Sequence, residues 1–513
     1  MKKLGNVHPL LFAVYPVLFI AVYNWSLVSF KQMIVPLLVV LAFACLCWLG
    51  MQVLLKDKTK ASIGASVFLI FFFSYGRLYI LTQNVLIAGI DIGQHKYIFP
   101  FWIVALALCF FLLLRVRFDL RGVADFLNIM AAVLVGFTLV TAGYNAVNSR
   151  LANARPATET VSLQQDRQPD IYYIILDGCA RADILAELYD LDIAPFLDTM
   201  TQKGFFVASR SRTNYSQTQL SLASSLNFTY LDDLAAQMSA ESGNRLPLKQ
   251  MIHNNRVASS LQQKGYMFVA FATEMEHTDI KNADRYLTDS WSLSEFDNIV
   301  LNTTPLPGLL NRVLSRSVNF QYDAHRHKIL YPLEHLENIA RYDVPTFTFA
   351  HIMACHPPFV FDEDGQPVNP SQDFALLDGN FFVSRYGKDA YVSGYRKQLT
   401  FILSRVEEAI DRVLATSPEP PIIILQADHG GGSGLDFSSL EKTDIHERMA
   451  ILNLYYLPDG GAEHLYDEIT PVNTFRVVLN YYFGAELNLL EDKSYYSPID
   501  FPYQFTDVTD SSK

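Results

Sequence analysis

Apolar runs dominate the first part of the chain, and shorter apolar blocks separated by polar residues make up the rest. Five of the runs are long enough to cross about 30 Å of hydrocarbon, which takes roughly 20 helical residues each. They are Pro9 to Val28, Met33 to Leu55, Ser62 to Leu81, Tyr97 to Leu114 and Phe126 to Val147. The pattern predicts a bundle of about five transmembrane helices over residues 1–148.

Basic residues in the connecting loops predict how this bundle is oriented. They are concentrated between the second and third runs and between the fourth and fifth, at Lys56, Lys58, Lys60, Arg115, Arg117 and Arg121. Positive charge favours the cytoplasmic side, so an odd number of spans places the rest of the chain outside. Four spans with one re-entrant helix would instead leave it in the cytoplasm, and the charge pattern disfavours that alternative. We expect a multi-pass protein of the cell (inner) membrane with an extracytoplasmic, periplasmic domain.

After the last run, the pattern changes to that of a globular domain. Residues 149–169 are polar and lack apolar periodicity, which is typical of a linker. Residues 170–513 alternate short apolar strands with helical segments. The predicted strands are Ile171–Leu176, Met267–Ala272, Thr346–Met353, Ile422–Ala427 and Ile451–Leu457. Continuous apolar strands separated by helices predict an α/β domain with a largely parallel central sheet covered by helices.

Charge and cysteine content narrow the functional classes. The net charge of −12 argues against a nucleic-acid partner, because binding to phosphate backbones needs a basic surface. Only Cys179 and Cys355 of the five cysteines fall in the predicted globular domain. They could pair in an oxidising compartment, but we expect two unpaired core residues.

Two of the predicted strands end in residues suited to a metal. Asp177-Gly178 follows the first strand, and Asp428-His429 followed by three glycines comes after Ile422–Ala427. Ligands bind beyond the carboxyl ends of parallel strands. Carboxylate and imidazole together suit zinc or manganese. An N-cap role for Asp177 and a surface turn for Asp428-His429 are the alternatives.

A third element is a hydroxyl-rich loop that enters a helix. The segment Asn214 to Leu226 contains Thr218 and Ser221 after a strand-like Phe205–Ala208. Backbone N–H groups at a helix N-terminus could stabilise a nearby hydroxyl or hold a phosphate. Taken alone, the segment fits an ordinary N-cap in a Ser/Thr-rich turn better.

Together, these three elements resemble the alkaline phosphatase and sulfatase superfamily. With five spans before the domain, the architecture is similar to the lipid A phosphoethanolamine transferases and lipoteichoic acid synthases. The resemblance implies that Thr218 is the nucleophile and that Asp177, Asp428, His429 and Thr218 hold the metal.

The same resemblance extends to three further histidines. The segment His351-Ile-Met-Ala-Cys-His356-Pro-Pro is similar to the His-x-x-Gly-Ser-His-Gly-Pro segment of the phosphoethanolamine transferases. His446 lies where relatives place another histidine. The resemblance therefore implies that His351, His356 and His446 bind substrate. A strand-end turn is the alternative for the first two.

The chain also departs from the family pattern. Asp177 stands where the membrane relatives carry glutamate, and Leu220 and Leu222 occupy the proline and arginine positions of the sulfatase signature. No cysteine is available there to become formylglycine, which argues against a sulfatase.

The resemblance implies metal-dependent transfer of a phospho-headgroup, of the phosphoethanolamine or phosphoglycerol type, through a phospho-threonine intermediate. The donor would be a membrane phospholipid and the acceptor an envelope glycan or glycolipid. One alternative is a phosphodiesterase or sulfatase of the same superfamily. Another is a non-catalytic partner in envelope assembly. A transporter is poorly supported because no inverted repeat is visible.

Overall fold

The structure, a computed structural model, contains two compact units. It describes residues 6–25, 28, 30–82, 86–87, 90–91, 95–152, 160–164, 168–289, 294–313, 320–368 and 374–512. The helical unit comprises Met1–Arg155 and Leu293–Asn319, and the sheet unit comprises Pro156–Ser292 and Phe320–Lys513. The predicted linker of residues 149–169 lies partly outside the described residues, at 153–159 and 165–167.

Five helices make up most of the described part of the helical unit, one for each predicted apolar run. A pair of two-residue strands, β1 (Leu86–Ile87) and β2 (Ile90–Asp91), precedes the fourth helix. The helices are α1 (His8–Tyr23), α2 (Phe30–Leu55), α3 (Lys58–Thr82), α4 (His95–Arg115) and α5 (Arg121–Ala152). Four of them, α2 to α5, contain stretches long and apolar enough to cross a membrane.

Helix α1 is shorter than the apolar run that predicted it. The prediction extended to Val28, but the helix ends at Tyr23 after 16 residues. At a rise of 1.5 Å per residue the helix spans about 24 Å, which is less than the hydrocarbon thickness of about 30 Å. Asn24 caps the helix through its backbone N–H and its side chain, both of which donate to Ile20 O. The apolar composition beyond Tyr23 therefore does not continue the helix.

A seven-stranded sheet forms the centre of the sheet unit, in the order β4-β9-β8-β3-β7-β5-β6. Strands β8, β3, β7, β5 and β6 are parallel, and β9 pairs antiparallel with both β8 and β4. A separate antiparallel pair, β10 and β11, lies near the C-terminus. The strands are β3 (Ile171–Leu176), β4 (Phe206–Val207), β5 (Met267–Phe271), β6 (Arg285–Leu287), β7 (Thr346–Ile352), β8 (Ile422–Gln426), β9 (Asn453–Tyr456), β10 (Tyr495–Tyr496) and β11 (Thr506–Asp507).

The remaining helices follow the strands in the alternation that the sequence predicted. Leu246–His253 and Arg256–Gln263 are two separate helices, because Asn255 caps the second helix by accepting a hydrogen bond from Ala258 N. Short 3₁₀ segments lie at Leu336–Arg341, Leu440–Lys442 and Gly461–His464. The helices are α6 (Ala182–Tyr189), α7 (Ala194–Gln202), α8 (Thr218–Ser225), α9 (Asp232–Gln237), α10 (Leu246–His253), α11 (Arg256–Gln263), α12 (Glu295–Asn302), α13 (Leu306–Val313), α14 (Phe320–His335), α15 (Gly379–Tyr386), α16 (Lys388–Thr416), α17 (Ile445–Met449) and α18 (Pro471–Phe483).

Strand β3 shows why the sheet is covered on both faces. All six of its residues are buried. Tyr172, Ile174 and Leu176 belong to one hydrophobic cluster, and the alternate residues Ile171, Tyr173 and Ile175 belong to the other. Successive strand side chains point to opposite faces, so an unbroken apolar run places a core on each side. The predicted α/β architecture is confirmed.

Helices α12 and α13 belong to the helical unit although they lie within the sequence predicted as globular. Phe296 and Val300 of α12 are buried in one cluster with residues of α1, α2 and α3. Gly76 N on α3 donates to Thr303 O over 2.9 Å. A Cβ at Gly76 would lie 1.9 Å from Asn302 O, so only glycine permits this contact.

Part of the predicted linker packs on the sheet unit. Leu163 is buried in one of the two hydrophobic clusters. Gln164 N donates to Phe483 O over 2.8 Å, and Val161 N donates to Ser260 Oγ over 3.1 Å. These contacts are made within the described residues 160–164.

Candidate active site

Three neighbouring parallel strands deliver the predicted ligands to one edge of the sheet. Asp177 follows β3, Asp428 follows β8, and His351 is the second-last residue of β7. Strand β3 lies between β8 and β7, so the carboxyl ends of the three strands are adjacent. All three side chains are almost completely buried, with 0–2% of their surface exposed. The sheet order therefore brings together residues that are far apart in sequence.

Two carboxylates at this edge each keep an oxygen without a partner. Ligand atoms of Asp177, His351 and Asp428 lie within 4.8 Å of one another. Among the described residues, Asp177 Oδ1 and Asp428 Oδ2 have no hydrogen-bond partner although both atoms are buried. Burying an unpaired anionic oxygen is costly unless a cation or donor satisfies it. The arrangement fits a bound divalent cation.

His429 connects the carboxylates to Thr218. Its Nε2 lies 3.4 Å from Asp428 Oδ2 and 3.8 Å from Asp177 Oδ1. The same nitrogen is 3.1 Å from Thr218 Oγ1, and Nδ1 is 2.9 Å from Gly430 O. Because a carbonyl oxygen only accepts, Nδ1 donates to it, and a ring that donates from Nδ1 can offer Nε2 to a metal. The structure thus brings together all four predicted ligand side chains.

Thr218 is the first residue of α8. Gln217 precedes the helix in an extended conformation and makes no side-chain cap. Thr218 Oγ therefore lies at the positive end of the helix dipole, next to backbone N–H groups that lack helical acceptors. Such a position stabilises negative charge on the hydroxyl oxygen or on a phosphate joined to it.

His351, which is predicted to bind substrate, contacts Asp177. Its Nε2 is 3.0 Å from Asp177 Oδ2, and its Nδ1 is 2.9 Å from Thr278 Oγ1. Burial alone would raise the pKa of Asp177. The hydrogen bond with His351 and the positive charges of the nearby histidines hold that pKa well below its ordinary value instead. Asp177 is therefore ionised at neutral pH, as a metal ligand must be.

His356 follows β7 and faces several buried acids. Its Nδ1 donates to Pro357 O over 2.6 Å. It interacts electrostatically with three buried acids whose pKa values are held below their ordinary values against the effect of burial. The largest lowering influence is His351 for Asp177, His325 for Glu274 and Arg448 for Asp378, and His356 adds to each. An imidazole at this position could donate a proton or stabilise developing negative charge.

His446, the third predicted substrate-binding histidine, is half-buried on α17. Among the described residues, no hydrogen bond or ion pair connects its ring to the groups above. Its neighbours Glu447 and Arg448 contact the site instead. Within this part of the chain, the structure therefore does not bring His446 into the cluster.

Glu447 supports the glycine loop that follows His429. Its carboxylate accepts hydrogen bonds from Ser433 N at 2.8 Å and Gly434 N at 2.7 Å. A Cβ at Gly430 would lie 2.1 Å from Glu447 O, so this close approach requires glycine. Gly430 therefore lets α17 pack closely against the loop that follows His429.

Arg448 links three segments around the site. Its Nε donates to Ser216 O over 2.8 Å, and Nη2 lies 3.5 Å from Asp378 Oδ2. The side chain is only 2% exposed. Arg448 thereby connects the segment before Thr218 to the start of α15, where Asp378 N-caps the helix by accepting from Gly379 N.

A disulfide joins the loops that carry Asp177 and His356. Cys179 and Cys355 are bonded, with Cα atoms 5.3 Å apart, so the expectation of two unpaired cysteines is wrong. The physical reason is the pairing of β3 with β7, which places the two loops side by side. Cys355 N also donates to Asp177 O over 3.0 Å. The cross-link therefore fixes two parts of the site relative to each other.

Sequence reasoning missed the loop after β5, Glu447, Arg448 and Asp378. The loop after β5 supplies Thr278 to His351 and Glu274 to the surroundings of His356. It follows a predicted strand, so the strand-end rule that selected Asp177 and Asp428 could have selected it as well. We see no local sequence signal for Arg448 or Asp378, because their role depends on which loops meet.

Comparisons with known proteins give structural likenesses at low sequence identity. The C-terminal periplasmic domain of EptC from Escherichia coli, in a complex with Zn, matches with 11% identity and a TM-score of 0.44, covering 68% of this chain and 96% of that one. The integral membrane lipooligosaccharide phosphoethanolamine transferase A (EptA) from Neisseria meningitidis matches with 12% identity and a TM-score of 0.39, covering 93% and 96%. A 2-O GAG sulfatase matches with 11% identity and a TM-score of 0.37, covering 63% and 72%. No family model and no curated protein sequence matches the chain.

Proposed function

We propose that this protein is a membrane-anchored, metal-dependent enzyme of the alkaline phosphatase and sulfatase superfamily that transfers a phospho-headgroup. The observation that carries the proposal is the position of Thr218. Its hydroxyl lies 3.1 Å from His429 Nε2, beside two buried carboxylates that each leave an oxygen without a described partner. A nucleophile, an anion-stabilising helix terminus and a cation site in one place support phosphoryl transfer.

The residues that would hold the cation are Asp177, Asp428 and His429, with Thr218 as a further ligand. His351, predicted as substrate-binding, lies close enough to Asp177 and Asp428 to join them. This mixture of oxygen and nitrogen donors fits zinc or manganese. A bound divalent cation would lower the pKa of the Thr218 hydroxyl, so that it loses its proton to solvent, and would neutralise charge on the substrate oxygens.

The reaction would proceed in two displacements. Thr218 Oγ forms a bond to the donor phosphorus while the bond from phosphorus to the leaving oxygen breaks. His356 gives its proton to the leaving oxygen. An acceptor hydroxyl then attacks the phospho-threonine and returns its proton to His356, and Thr218 Oγ leaves. The N-terminus of α8 stabilises the negative charge on Thr218 in both steps.

The anchor supports a substrate that is confined to the membrane. Four helices of this chain are long and apolar enough to span a bilayer. We propose a phospholipid donor of the phosphoethanolamine or phosphoglycerol type, an envelope glycan or glycolipid as acceptor, and a periplasmic location for the sheet unit. The alternative, hydrolysis of phosphate or sulfate esters, differs only in that water replaces the acceptor hydroxyl.

Intact-mass analysis of the full-length protein after brief incubation with phosphatidylethanolamine would test this proposal. We expect a covalent adduct with the mass of the transferred headgroup on Thr218, and none on the Thr218→Ala variant. Loss of the adduct on adding acceptor glycolipid, with the headgroup recovered on that lipid, identifies a transferase. Recovery of free headgroup alone identifies a hydrolase. An active Thr218→Ala variant would contradict both.

A further inference from the structure

We infer that Arg245 is a positioning residue that fixes the segment carrying the Thr218 nucleophile. The inference rests on the proposed function, because it assigns Arg245 a role in presenting Thr218 to a substrate. Arg245 lies immediately before α10 and is partly buried. It lies 27 residues after Thr218 and belongs to none of the motifs described above, so the sequence alone gave no reason to select it.

The guanidinium group forms hydrogen bonds with both residues that flank Thr218. Nη2 donates to Gln217 Oε1 over 2.6 Å, and Nη1 lies 3.3 Å from Gln219 Oε1. Nη2 also donates to Ile499 O over 2.5 Å. One planar group therefore spans the two side chains on either side of Thr218 and ties them to the C-terminal segment.

Hydrogen bonds at both ends of its side-chain amide hold Gln217 in one orientation. Its Nε2 donates to Ser497 O and Ser497 Oγ, both at 2.9 Å, while Oε1 accepts from Arg245. The side chain is only 3% exposed. Because its side chain does not cap α8, the entry of the chain into the helix depends on these lateral contacts.

The guanidinium group of Arg245 donates its hydrogen bonds to neutral oxygen atoms. Among the described residues it makes no salt bridge, and its three acceptors are two amide oxygens and one backbone carbonyl. Burial lowers its pKa to about 10, so it remains charged at neutral pH. A rigid fork of donors can bridge two separated amides, whereas the single ammonium of lysine cannot.

The test compares variants of the full-length protein in detergent with added zinc, using the soluble diester bis(p-nitrophenyl) phosphate. Arg245→Ala should lower kcat roughly 10²-fold, because a small displacement of a reacting atom is enough for such a loss. KM and the bound zinc should change by less than about twofold. Arg245→Lys should be similarly slow, and added guanidinium should restore several-fold activity to Arg245→Ala alone.

Two further variants serve as a control and as an independent test of the same contact. Arg396→Ala removes an exposed arginine that pairs with Asp190, and we expect wild-type kinetics from it. Gln219→Met removes one acceptor at nearly constant volume and should lower kcat several-fold even if Arg245→Ala folds poorly.

Three results would overturn the role of Arg245. They are a kcat of Arg245→Ala within about twofold of wild type, a loss of activity that follows loss of zinc without rescue by guanidinium, and wild-type kinetics for Gln219→Met. The Thr218→Ala variant in the same assay separates the two proposals. If it is inactive while Arg245→Ala is normal, only the positioning role fails; if it is active, the proposed function fails.

Discussion

Two buried polar groups lie close together in the sheet unit and differ in one respect. The first is a neutral network in which Tyr173 donates to Gln426 Oε1 over 2.8 Å. Gln426 Nε2 lies within 3.3 Å of acceptors on Asn453, Tyr455 and Thr474. The second is the cluster of Asp177, His351 and Asp428. Asp428 lies only two residues after Gln426 in the chain.

The Gln426 network and the Asp177 cluster differ in whether their buried polar atoms all have hydrogen-bond partners. Among the described residues, no atom of Tyr173, Gln426, Asn453 or Tyr455 is a buried polar atom without a partner. Asp177 and Asp428 each have one such oxygen. Most buried polar groups in proteins complete their hydrogen bonds, and a charged oxygen that does not is the costliest exception. The Asp177 and Asp428 carboxylates are charged and lie at the carboxyl ends of strands, where a bound ligand can supply the missing contacts.

The largest expected effect on activity comes from removing the negative charge of Asp428. Asp428→Asn should lower turnover roughly 10⁴-fold, equivalent to about 5.5 kcal/mol of transition-state stabilisation. The metal-free variant should be at least as stable as the metal-free wild type, because the negative charge is removed from a buried carboxylate of which one oxygen lacks a hydrogen-bond partner among the described residues. Thermal unfolding in a chelator measures this, and a marked loss of stability there would argue that Asp428 is a structural residue.

Removing the cross-link next to the cluster should have the next largest effect. A disulfide that closes a loop of 176 residues contributes about 5 kcal/mol in the chain-entropy account. The Cys179→Ala/Cys355→Ala protein should unfold at lower denaturant concentration by that free energy. Cys45→Ala, at an exposed free cysteine, is the control. Equal stability of the double variant and wild type would show that the bond does not constrain the unfolded chain.

Breaking the complete network should affect stability and leave the chemistry intact. Gln426→Leu removes the hydrogen bonds that Gln426 makes with Tyr173 and Asn453 and should cost about 2–3 kcal/mol of unfolding free energy. Bound metal and kcat of the folded fraction should stay near wild type. Gln262→Leu on the exposed face of α11 is the matched control. A loss of metal from Gln426→Leu would mean that the two groups are not independent.

The smallest effect concerns pH. Burial alone would raise the pKa of Asp378, but Arg448, His356 and His429 hold it below its ordinary value. A lowered folded-state pKa stabilises the protein above the unfolded value near 4, and the stabilisation is lost as pH falls through the lowered pKa. Asp378→Asn, which retains a cap acceptor, should therefore be less stable than wild type at neutral pH, with a difference that shrinks in acid. A constant difference across pH would contradict this.

The sequence predicted those parts of the molecule that depend on local pattern. The strand Ile171–Leu176 has the predicted bounds because an unbroken apolar run fits only a doubly covered strand. Asp177, Asp428 and His429 could be selected because each follows the carboxyl end of an apolar strand, and Thr218 because it opens a helix; the structure places the four close together. Helix α1, by contrast, ended early although its apolar run continued.

What could not be predicted depends on contacts between distant segments. The bond between Cys179 and Cys355 required knowing that β3 and β7 are neighbours. His351 was assigned to the substrate, and only the pairing of Ile175 with His351 across β3 and β7 shows that it lies beside Asp177. Arg245 reaches Gln217 and Gln219 from another helix, so its role has no local signature.

The central claim is that the unpartnered oxygens of Asp177 and Asp428 mark a cation site. Metal analysis of the purified full-length protein, beside the Asp177→Asn and Asp428→Asn variants, tests it most directly. We predict about one divalent cation per wild-type chain and almost none in either variant, with unfolding temperatures that rise on adding zinc for wild type only. Equal metal content in all three proteins, or none in any after zinc addition, would contradict the account.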